Sequence, residues 1–192
     1  SPQFSDRLNR FSKTIIEQID ELSAIASEFS DFAKMPLPEV ETYDITDTLK
    51  SVIDLYKDSA NMKFEFLFDA SEDYLVRADK KLLFRAFSNL IKNAVQALEG
   101  FDDGRISVSI KKTISIIEIT IKDNGPGIPK EISDKIFSPN FTTKSGGMGL
   151  GLAMVKNIVH SYSGTIQFYS KEGVGTTFII NIPAHKSESL IP

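Results

Sequence analysis

The hydrophobic period of the chain changes between residues 98 and 106, from the spacing of a helix to that of a strand. Before the change, apolar residues recur three and four positions apart, as on the buried face of one helix: Leu82, Leu83, Ala86, Phe87, Leu90, Ala94 and Leu98. After it, isoleucine and valine alternate with polar residues at 106–110 and 117–121. The change of period predicts a domain of class α+β, rather than one built from helices or strands alone.

Similar patterns occur on either side of these segments. Alternating residues predict further strands at 64–68, 74–77, 164–170 and 176–182. Helical spacing predicts further helices at 46–60, 130–137 and 150–161. Asp44 and Thr46 can cap the first of these helices, and Asp79 the long helix after it. The sum is a two-layer α+β sandwich, with a mixed, mostly antiparallel sheet of about five strands and helices on one face.

A separate amphipathic helix is predicted at 5–35. Its apolar stripe consists of Leu8, Phe11, Ile15, Ile19, Leu22, Ala26, Phe29 and Ala33. Pro36 and Pro38 end it, because the residue before a proline is disfavoured in helical geometry. No nearby segment carries a matching stripe, so we expect the helix to pair with another copy or with a missing segment, in an intermolecular bundle.

Composition excludes several classes of protein. A net charge of −4 and a pI near 5.3 argue against a protein that coats nucleic acid or anionic membrane. The absence of cysteine removes disulfides, thiolate zinc sites and cysteine nucleophiles. No apolar run reaches the length of a membrane span, and the start has neither Met nor a signal-peptide pattern. We therefore expect a soluble, cytoplasmic piece of a longer protein, with any membrane contact made by missing segments.

Two asparagines stand one turn apart in NLIKNAVQAL. Asn89 and Asn93 share a helix face with Gln96 and Ala97. Such a pair can simply be solvated. The functional alternative is that the side-chain carbonyl of Asn93 ligates Mg²⁺, a hard cation that takes oxygen ligands and is often shared with substrate phosphates.

The segment DNGPGIP follows the strand that ends near Lys122. Asp-Asn-Gly by itself is often only a turn. Functionally, a carboxylate at Asp123 can accept a hydrogen bond from the exocyclic amine of adenine. Gly125 and Gly127 carry no side chain, so a base can approach the backbone closely.

A second glycine segment, SGGMGLGL, runs directly into a helix. Gly146, Gly147, Gly149 and Gly151 would expose backbone N–H groups beside the positive end of the helix dipole, which is a common phosphate site. Lys144 adds a full positive charge. The segment follows no strand and has neither G-x-G-x-x-G nor G-x-x-x-x-G-K-[ST] spacing, which disfavours a Rossmann site and rules out a Walker A loop. The absence of H-R-D and D-F-G excludes the eukaryotic-type kinase fold.

The closing segment GVGTTF is by itself only a hairpin turn. Its hydroxyls, Thr176 and Thr177, become relevant if the hairpin lies beside a bound base.

Taken in order, these segments resemble the motif set of the GHKL ATPase superfamily. The set is NLIKNA, DNGPGIP, IFSPNFTTK, GGMGLGL and GVGTTF, and the resemblance covers about residues 43–183. The chain is most similar to the catalytic (HATPase_c) domain of sensor histidine kinases of the nitrogen-regulation type. Phe137, Phe141, Thr143 and Lys144 match the kinase phenylalanine box, and EFSDFAKMP resembles the end of a second dimerisation helix. The gyrase, mismatch-repair and chaperone branches usually carry an acidic residue where Asn89 stands.

The resemblance implies a Bergerat ATP-binding fold at 39–185, a truncated dimerisation helix at 1–38 and a tail at 186–192. It also implies ATP and Mg²⁺ as cofactors, a cognate response regulator as partner, and a homodimer formed through the N-terminal helix. The γ-phosphoryl group of ATP would pass to a histidine outside this chain. Whether the parent protein is anchored in the inner membrane stays open.

Site roles follow from the same resemblance. Asn93 would hold Mg²⁺, while Asn89 and Lys92 would orient water or touch phosphate. Asp123 would read adenine. Gly125 and Gly127 would make room for the base, and Thr176 would complete the base pocket. The phosphates would be surrounded by Lys144, Gly147, Gly149 and Leu150. The remaining implied nucleotide-binding positions are Ile128, Phe141, Thr143, Met148 and Gly151. Phe141 either anchors a lid over the site or is an ordinary core aromatic.

The phosphorylatable histidine of such kinases, in the motif H-E-x-x-N-P, is missing. His160 and His185 are the two histidines of the chain, and we expect neither to be the acceptor. The sequence therefore predicts that the chain binds Mg-ATP but cannot phosphorylate itself. Two alternatives stay open: a regulatory module that senses ATP without transferring phosphate, and a serine kinase of the anti-sigma type, which shares the glycine boxes.

Overall fold

A computed structural model describes residues 7, 10–16, 18–19, 22–23, 26, 38–57, 62–143 and 148–185. The strands are β1 (Glu41–Asp44), β2 (Lys63–Leu67), β3 (Leu75–Ala78), β4 (Arg105–Lys112), β5 (Ile116–Asp123), β6 (Thr165–Lys171) and β7 (Gly175–Pro183). The helices are α1 (Ile45–Lys57), α2 (Lys80–Ala97), α3 (Lys130–Ser133) and α4 (Gly151–Ser161).

The main sheet has five strands in the order β2-β4-β5-β7-β6. β2 pairs with β4 in parallel, and the other neighbours pair antiparallel. The prediction of a mixed, mostly antiparallel sheet of about five strands is confirmed. The predicted strand at 74–77 is β3, but it lies outside this sheet and pairs with β1. The sequence did not indicate β1, because a four-residue strand that is half exposed shows no apolar alternation.

The core lies between one face of the main sheet and the helices α1, α2 and α4. All seven residues of the predicted helical stripe at 82–98 are buried. They pack towards buried residues of the central strands, among them Ile106, Val108, Ile119 and Ile121. At roughly 1.5–3 kcal/mol for each large apolar side chain removed from water, this layer stabilises the placement of α2 over the sheet.

Two aspartates fix the starts of the long helices. Asp79 Oδ1 accepts from the amides of Lys81 (2.8 Å) and Leu82 (3.1 Å), as an N-cap does. Its Oδ2 accepts from the Glu39 amide at 2.7 Å, which ties the chain before β1 to α2. Asp44 similarly accepts from the Thr46 amide at 2.8 Å, at the start of α1. The predicted caps at Asp79 and Asp44 are confirmed, whereas Thr46 lies within α1 and donates to Asp44.

The third helix is shorter than its spacing predicts. A helix was expected at 130–137, but α3 ends at Ser133, and turns follow to residue 137. The turns bury the apolar side chains without a longer helix: Ile136 is buried, and Phe137 packs on Phe168 with ring centroids 5.9 Å apart. The end of the helix predicted at 46–60 lies outside the described residues beyond Lys57.

The residues described between Arg7 and Ala26 are helical. Their large apolar side chains are exposed, from 43% at Ile15 to 65% at Phe11. Leu8, Phe29, Ala33 and Pro36 of the predicted helix lie outside the described residues, so the bundle stays a prediction. Across the described part of the chain, no helix combines the length and the apolar character needed to cross a membrane.

Candidate functional site

A cavity of about 680 Å³ opens between α2, the end of β5 and the segment that leads into α4. The predicted residues that line it are Asn89, Lys92, Asn93, Asp123, Gly127, Ile128, Phe141, Thr143, Gly149, Gly151 and Thr176. Gly125, Met148 and Leu150 are described but do not line it, and Lys144 and Gly147 lie outside the described residues. The fold thus brings motif residues from distant parts of the chain together around one cavity.

One face of α2 forms a wall of the cavity. Asn89, Lys92 and Asn93 line it together with Gln96 and Ala97, as the helical repeat of 3.6 residues requires. The amide nitrogen of Asn89 donates to the Arg85 carbonyl at 3.0 Å, which orients its Oδ1. A Cβ atom on Gly151 would lie 2.7 Å from that Oδ1, so the start of α4 sits directly on Asn89.

Asp123 ends β5 and is only 6% exposed. Its Oδ1 accepts from the Gly125 amide at 2.9 Å and from the Thr176 amide at 3.2 Å. Its Oδ2 accepts no hydrogen bond from any described residue. Burial raises the pKa of the Asp123 carboxyl, although the amides of Gly125, Thr176 and Asp123 itself act in the opposite direction. The side chain therefore presents one oriented oxygen to the cavity as an acceptor.

The segment after Asp123 is held by the β6–β7 hairpin. Gly127 has φ of 77°, and a Cβ there would lie 2.3 Å from the Lys171 carbonyl oxygen. The Gly173 amide donates to the Pro126 carbonyl at 2.8 Å. Glycine is required at 127 because the hairpin occupies the space of a side chain. At Gly125 a Cβ would lie 2.9 Å from Asp123 Oδ1, beside the contact that orients the carboxylate.

Gly149, two residues before α4, lies against the backbone of Phe141. Gly149 has φ of 66°, and a Cβ there would lie 2.3 Å from the Phe141 carbonyl oxygen. Leu150 precedes α4 and is buried, and no side chain caps the first turn. N-terminal amides without such a cap, in a helix whose positive dipole end faces the cavity, form a suitable anion site.

Sequence reasoning missed much of the cavity wall. The additional lining residues are Ala94, Glu99, Pro126, Ile132, Ile136, Thr142, Leu152 and Phe178, and the helix-sharing Gln96 and Ala97 were noted without a role. The apolar members suit the flat faces of a base. Ala94 had a signal, because it follows Asn93 on α2. Ile132 and Ile136 had none, because their positions depend on how the turns after α3 fold back.

The donors and acceptors fit Mg-ATP. A buried carboxylate faces a partly apolar space, the α4 amides lack a side-chain cap, and amide side chains from α2 supply oxygen atoms. Within the described residues no group of three His, Asp or Glu side chains could hold a metal ion by itself. Neither histidine lines the cavity: His160 is exposed near the end of α4, and the His185 amide donates to the Leu75 carbonyl at 2.8 Å.

Comparison with known proteins places this geometry in a family. Residues 78–186 match the family described as histidine kinase-, DNA gyrase B- and HSP90-like ATPase. Sensor histidine kinase ZraS of Escherichia coli (strain K12) is 33% identical over 179 residues, which are 92% of this chain and 38% of that protein. A putative NtrY-like sensor histidine kinase of Rickettsia conorii is 31% identical, over 91% of this chain and 30% of its own length. The chain thus spans only 38% and 30% of the length of these two relatives.

Solved structures show the same fold. The nucleotide-free catalytic domain of histidine kinase ThkA superposes with a TM-score of 0.68 at 32% identity, covering 76% of this chain and 96% of that domain. ThkA in complex with the response regulator TrrA gives a TM-score of 0.73 at 28% identity, over 89% of this chain and 49% of that one. Since the family match extends over more than half of its residues, the chain belongs to the histidine kinase-, DNA gyrase B- and HSP90-like ATPases.

Proposed function

We propose that this chain is the ATP-binding catalytic domain of a two-component sensor histidine kinase. It would transfer the γ-phosphoryl group of ATP to a histidine outside the chain, for relay to a response regulator. The observation that carries the proposal is the shared cavity, in which Asp123 and Asn93 face the same space as the start of α4. The relatives named as sensor histidine kinases favour this activity over a nucleotide sensor or an anti-sigma-type serine kinase.

Phosphoryl transfer needs positioning and charge neutralisation more than covalent help, and the chain offers both. Asp123 would hold the adenine end through Oδ2, and Gly149, Gly151 and the α4 amides would surround the phosphates. Lys92, which lines the cavity, supplies a positive charge. Lys144 and Gly147 are proposed phosphate contacts on sequence grounds alone.

We further propose Asn93 as a ligand of Mg²⁺. The ion would offset negative charge on the phosphates, and it prefers oxygen ligands of the kind that an asparagine side chain provides. Because the described residues hold no cluster of three carboxylates or histidines, the remaining ligands would come from the nucleotide and from water. A protein site that cannot hold the ion alone predicts that Mg²⁺ and ATP bind together.

Relatives support finer proposals for the parent protein. The nitrogen-regulation type is supported by the NtrY-like relatives, and a response-regulator partner by the complex of ThkA with TrrA. A homodimer is supported by the exposed apolar side chains described between Phe11 and Leu22. We place the chain in the cytoplasm, and a parent anchored in the inner membrane would agree with its resemblance to sensor kinases.

Calorimetric titration of the chain with ATP and GTP, each with and without Mg²⁺, tests the proposal. We expect Mg-ATP to bind and Mg-GTP to bind at least about tenfold more weakly, because guanine presents a 6-oxo acceptor to the Asp123 carboxylate. Asn93→Ala should weaken Mg-ATP binding and reduce its dependence on Mg²⁺. Asp123→Asn should remove the preference for adenine, because the new amide offers a donor where Oδ2 accepts.

The matched control is Ser88→Ala, on α2 but outside the cavity, where the serine hydroxyl bonds to that of Tyr56 at 3.0 Å. It should bind Mg-ATP as the unchanged chain does. A chain that binds ATP and GTP equally, or that binds neither, would rule out the proposed site.

A further inference from the structure

The hydroxyl of Ser170 lies at the centre of a small hydrogen-bond network behind the cavity. Ser170 stands on β6 directly opposite Thr176 on β7. Its Oγ accepts from the Ile128 amide at 2.7 Å, lies 3.1 Å from the Gly175 carbonyl oxygen and lies 2.9 Å from Thr176 Oγ1. Ser170 does not line the cavity, but Thr176 and Ile128 do, so Ser170 acts on a ligand through these two neighbours, and only Thr176 among them offers a side-chain hydroxyl.

Counting protons fixes the direction of these bonds. A serine hydroxyl has one proton and two lone pairs, and the Ile128 amide uses one lone pair. If Ser170 donates to the Gly175 carbonyl, Thr176 can donate to the second lone pair of Ser170, and every hydroxyl proton has an acceptor. In the reverse arrangement, the proton of Thr176 has no acceptor among the described residues. Thr176 is only 6% exposed, so the reverse arrangement would leave a poorly solvated donor.

The favoured arrangement decides what Thr176 offers to a ligand. With its proton directed to Ser170, Thr176 Oγ1 can only accept from the cavity side. Asp123 Oδ2 also accepts, and the two residues are joined by the bond from the Thr176 amide to Asp123 Oδ1 at 3.2 Å. The base end of the cavity therefore presents two neighbouring acceptors. A purine with a 6-amino group meets them with donors, whereas a 6-oxo purine meets them with another acceptor.

We propose that Ser170 is a positioning residue that determines base specificity, because it holds the Thr176 hydroxyl as an acceptor and so excludes 6-oxo purines. The proposal rests on the proposed function, since it concerns the base of a nucleotide bound in the same cavity. It goes further in assigning discrimination against the 6-oxo group to a side chain that does not contact the nucleotide.

Calorimetry with ATP and inosine triphosphate is the test. Adenine has a 6-amino group and no proton on N1, whereas the base of inosine triphosphate has a 6-oxo group and a proton on N1. Ser170→Ala leaves Thr176 without its acceptor, so its proton becomes available to the cavity. The preference for ATP should fall by about tenfold, mainly through tighter binding of inosine triphosphate. Ser170→Thr keeps a hydroxyl and should restore the preference, and Ser88→Ala should leave it unchanged.

The outcomes separate a failure of the inference about Ser170 from a failure of the proposed nucleotide binding. If Ser170→Ala weakens both nucleotides equally, the residue is only structural and the inference is wrong. If the unchanged chain binds neither nucleotide, the proposed function fails and the inference with it. Thermal unfolding without nucleotide shows whether Ser170→Ala folds. If it does not, Ser170→Cys takes its place, because a thiol is a weak acceptor of similar shape; an unchanged preference in that variant would overturn the inference.

Discussion

At the scale of single residues, the strongest constraint on the site is the burial of Asp123. A carboxylate that is 6% exposed loses hydration, and two amide donors to Oδ1 offset part of that cost. Oδ2 has no partner among the described residues. The carboxylate is thus held ready for a donor, at the expense of stability in the protein without nucleotide.

The raised pKa of Asp123 predicts how ATP affinity changes with pH. As pH falls through that raised value, the carboxyl takes up a proton and can no longer accept with both lone pairs of Oδ2. Titrations from neutral pH down towards 3.8 should show affinity falling on the acidic side. Asp123→Asn should lack this component, while retaining any change caused by the phosphates themselves. Parallel curves for the two proteins would contradict the assignment.

The same shift predicts a stability difference without nucleotide. A carboxyl whose folded pKa lies above the unfolded value of 3.8 stabilises the fold below 3.8 and loses that contribution as pH rises through the folded pKa. Asp123→Asn cannot ionise, so it avoids this loss of stability, and its side-chain oxygen can still accept from the amides of Gly125 and Thr176. At neutral pH the variant should be more stable than the unchanged chain by on the order of 1 kcal/mol, as measured by urea unfolding. The advantage should disappear near pH 3.8; a constant advantage would exclude this cause.

At the scale of elements, the start of α4 is placed by a backbone contact. A Cβ on Gly149 would lie 2.3 Å from the Phe141 carbonyl oxygen, and φ there is 66°. The collision and the positive φ both disfavour any residue with a side chain at this position. Glycine at 149 therefore allows the start of α4 to lie close to Phe141.

Gly149→Ala should therefore move the start of α4 and weaken Mg-ATP binding by about tenfold or more. Gly173→Ala is the matched control, since Gly173 has a similar φ of 72° but nothing within 4 Å of the added Cβ. Both changes should cost about 1–2 kcal/mol in backbone strain. Thermal unfolding should show a larger loss for Gly149→Ala, because its added Cβ also collides with the Phe141 carbonyl. Calorimetry should show weakened ATP binding in Gly149→Ala but not in Gly173→Ala. Equal ATP affinities in the two variants would mean that the collision at Gly149 does not affect binding.

Asp79 joins two elements through one side chain. It caps α2 and also accepts from the Glu39 amide ahead of β1, and it is 3% exposed. Asp79→Ala should lower the free energy of unfolding by about 2 kcal/mol, as measured in urea, because three backbone donors lose their acceptor. The control is Asp47→Ala in the first turn of α1, where the side chain is exposed; it should change stability by at most about 0.5 kcal/mol. Similar losses in both would contradict the role of Asp79.

At the scale of the whole molecule, the cavity depends on elements far apart in the chain. α2, the end of β5, the β6–β7 hairpin and α4 all contribute to it, and both histidines lie outside it. If the cavity binds ATP as proposed, neither histidine is placed to accept phosphate from it.

Incubation with γ-labelled ATP and Mg²⁺ should therefore leave no acid-labile phosphate on the chain, above the level of a heat-denatured control, although calorimetry shows binding. Neither histidine lines the cavity, and His160 is exposed on α4. Label on either histidine, located by mass spectrometry and lost in His160→Gln or His185→Gln, would overturn this expectation.

The sequence by itself determined most of the elements, β1 and the end of α3 excepted, because burial on one side imposes a period: 3.6 residues along α2 and two along β4 and β5. It also indicated most of the residues that line the candidate site, since Asp123, the asparagines and the glycines are recognisable by type and order. Glycine at 127 and 149 was visible as a pattern, but its physical cause, a collision with the backbone of Lys171 and of Phe141, involves contacts between distant segments.

Only the tertiary structure decided which strands pair and what surrounds the chemistry. The weak alternation of β1 gave no signal, and β3 joins it outside the main sheet because pairing depends on space, not on local pattern. Ser170 looked like any strand serine until the hairpin register placed it opposite Thr176. Hydrogen-bond direction and cavity shape arise from groups brought together by folding, so a local period cannot encode them.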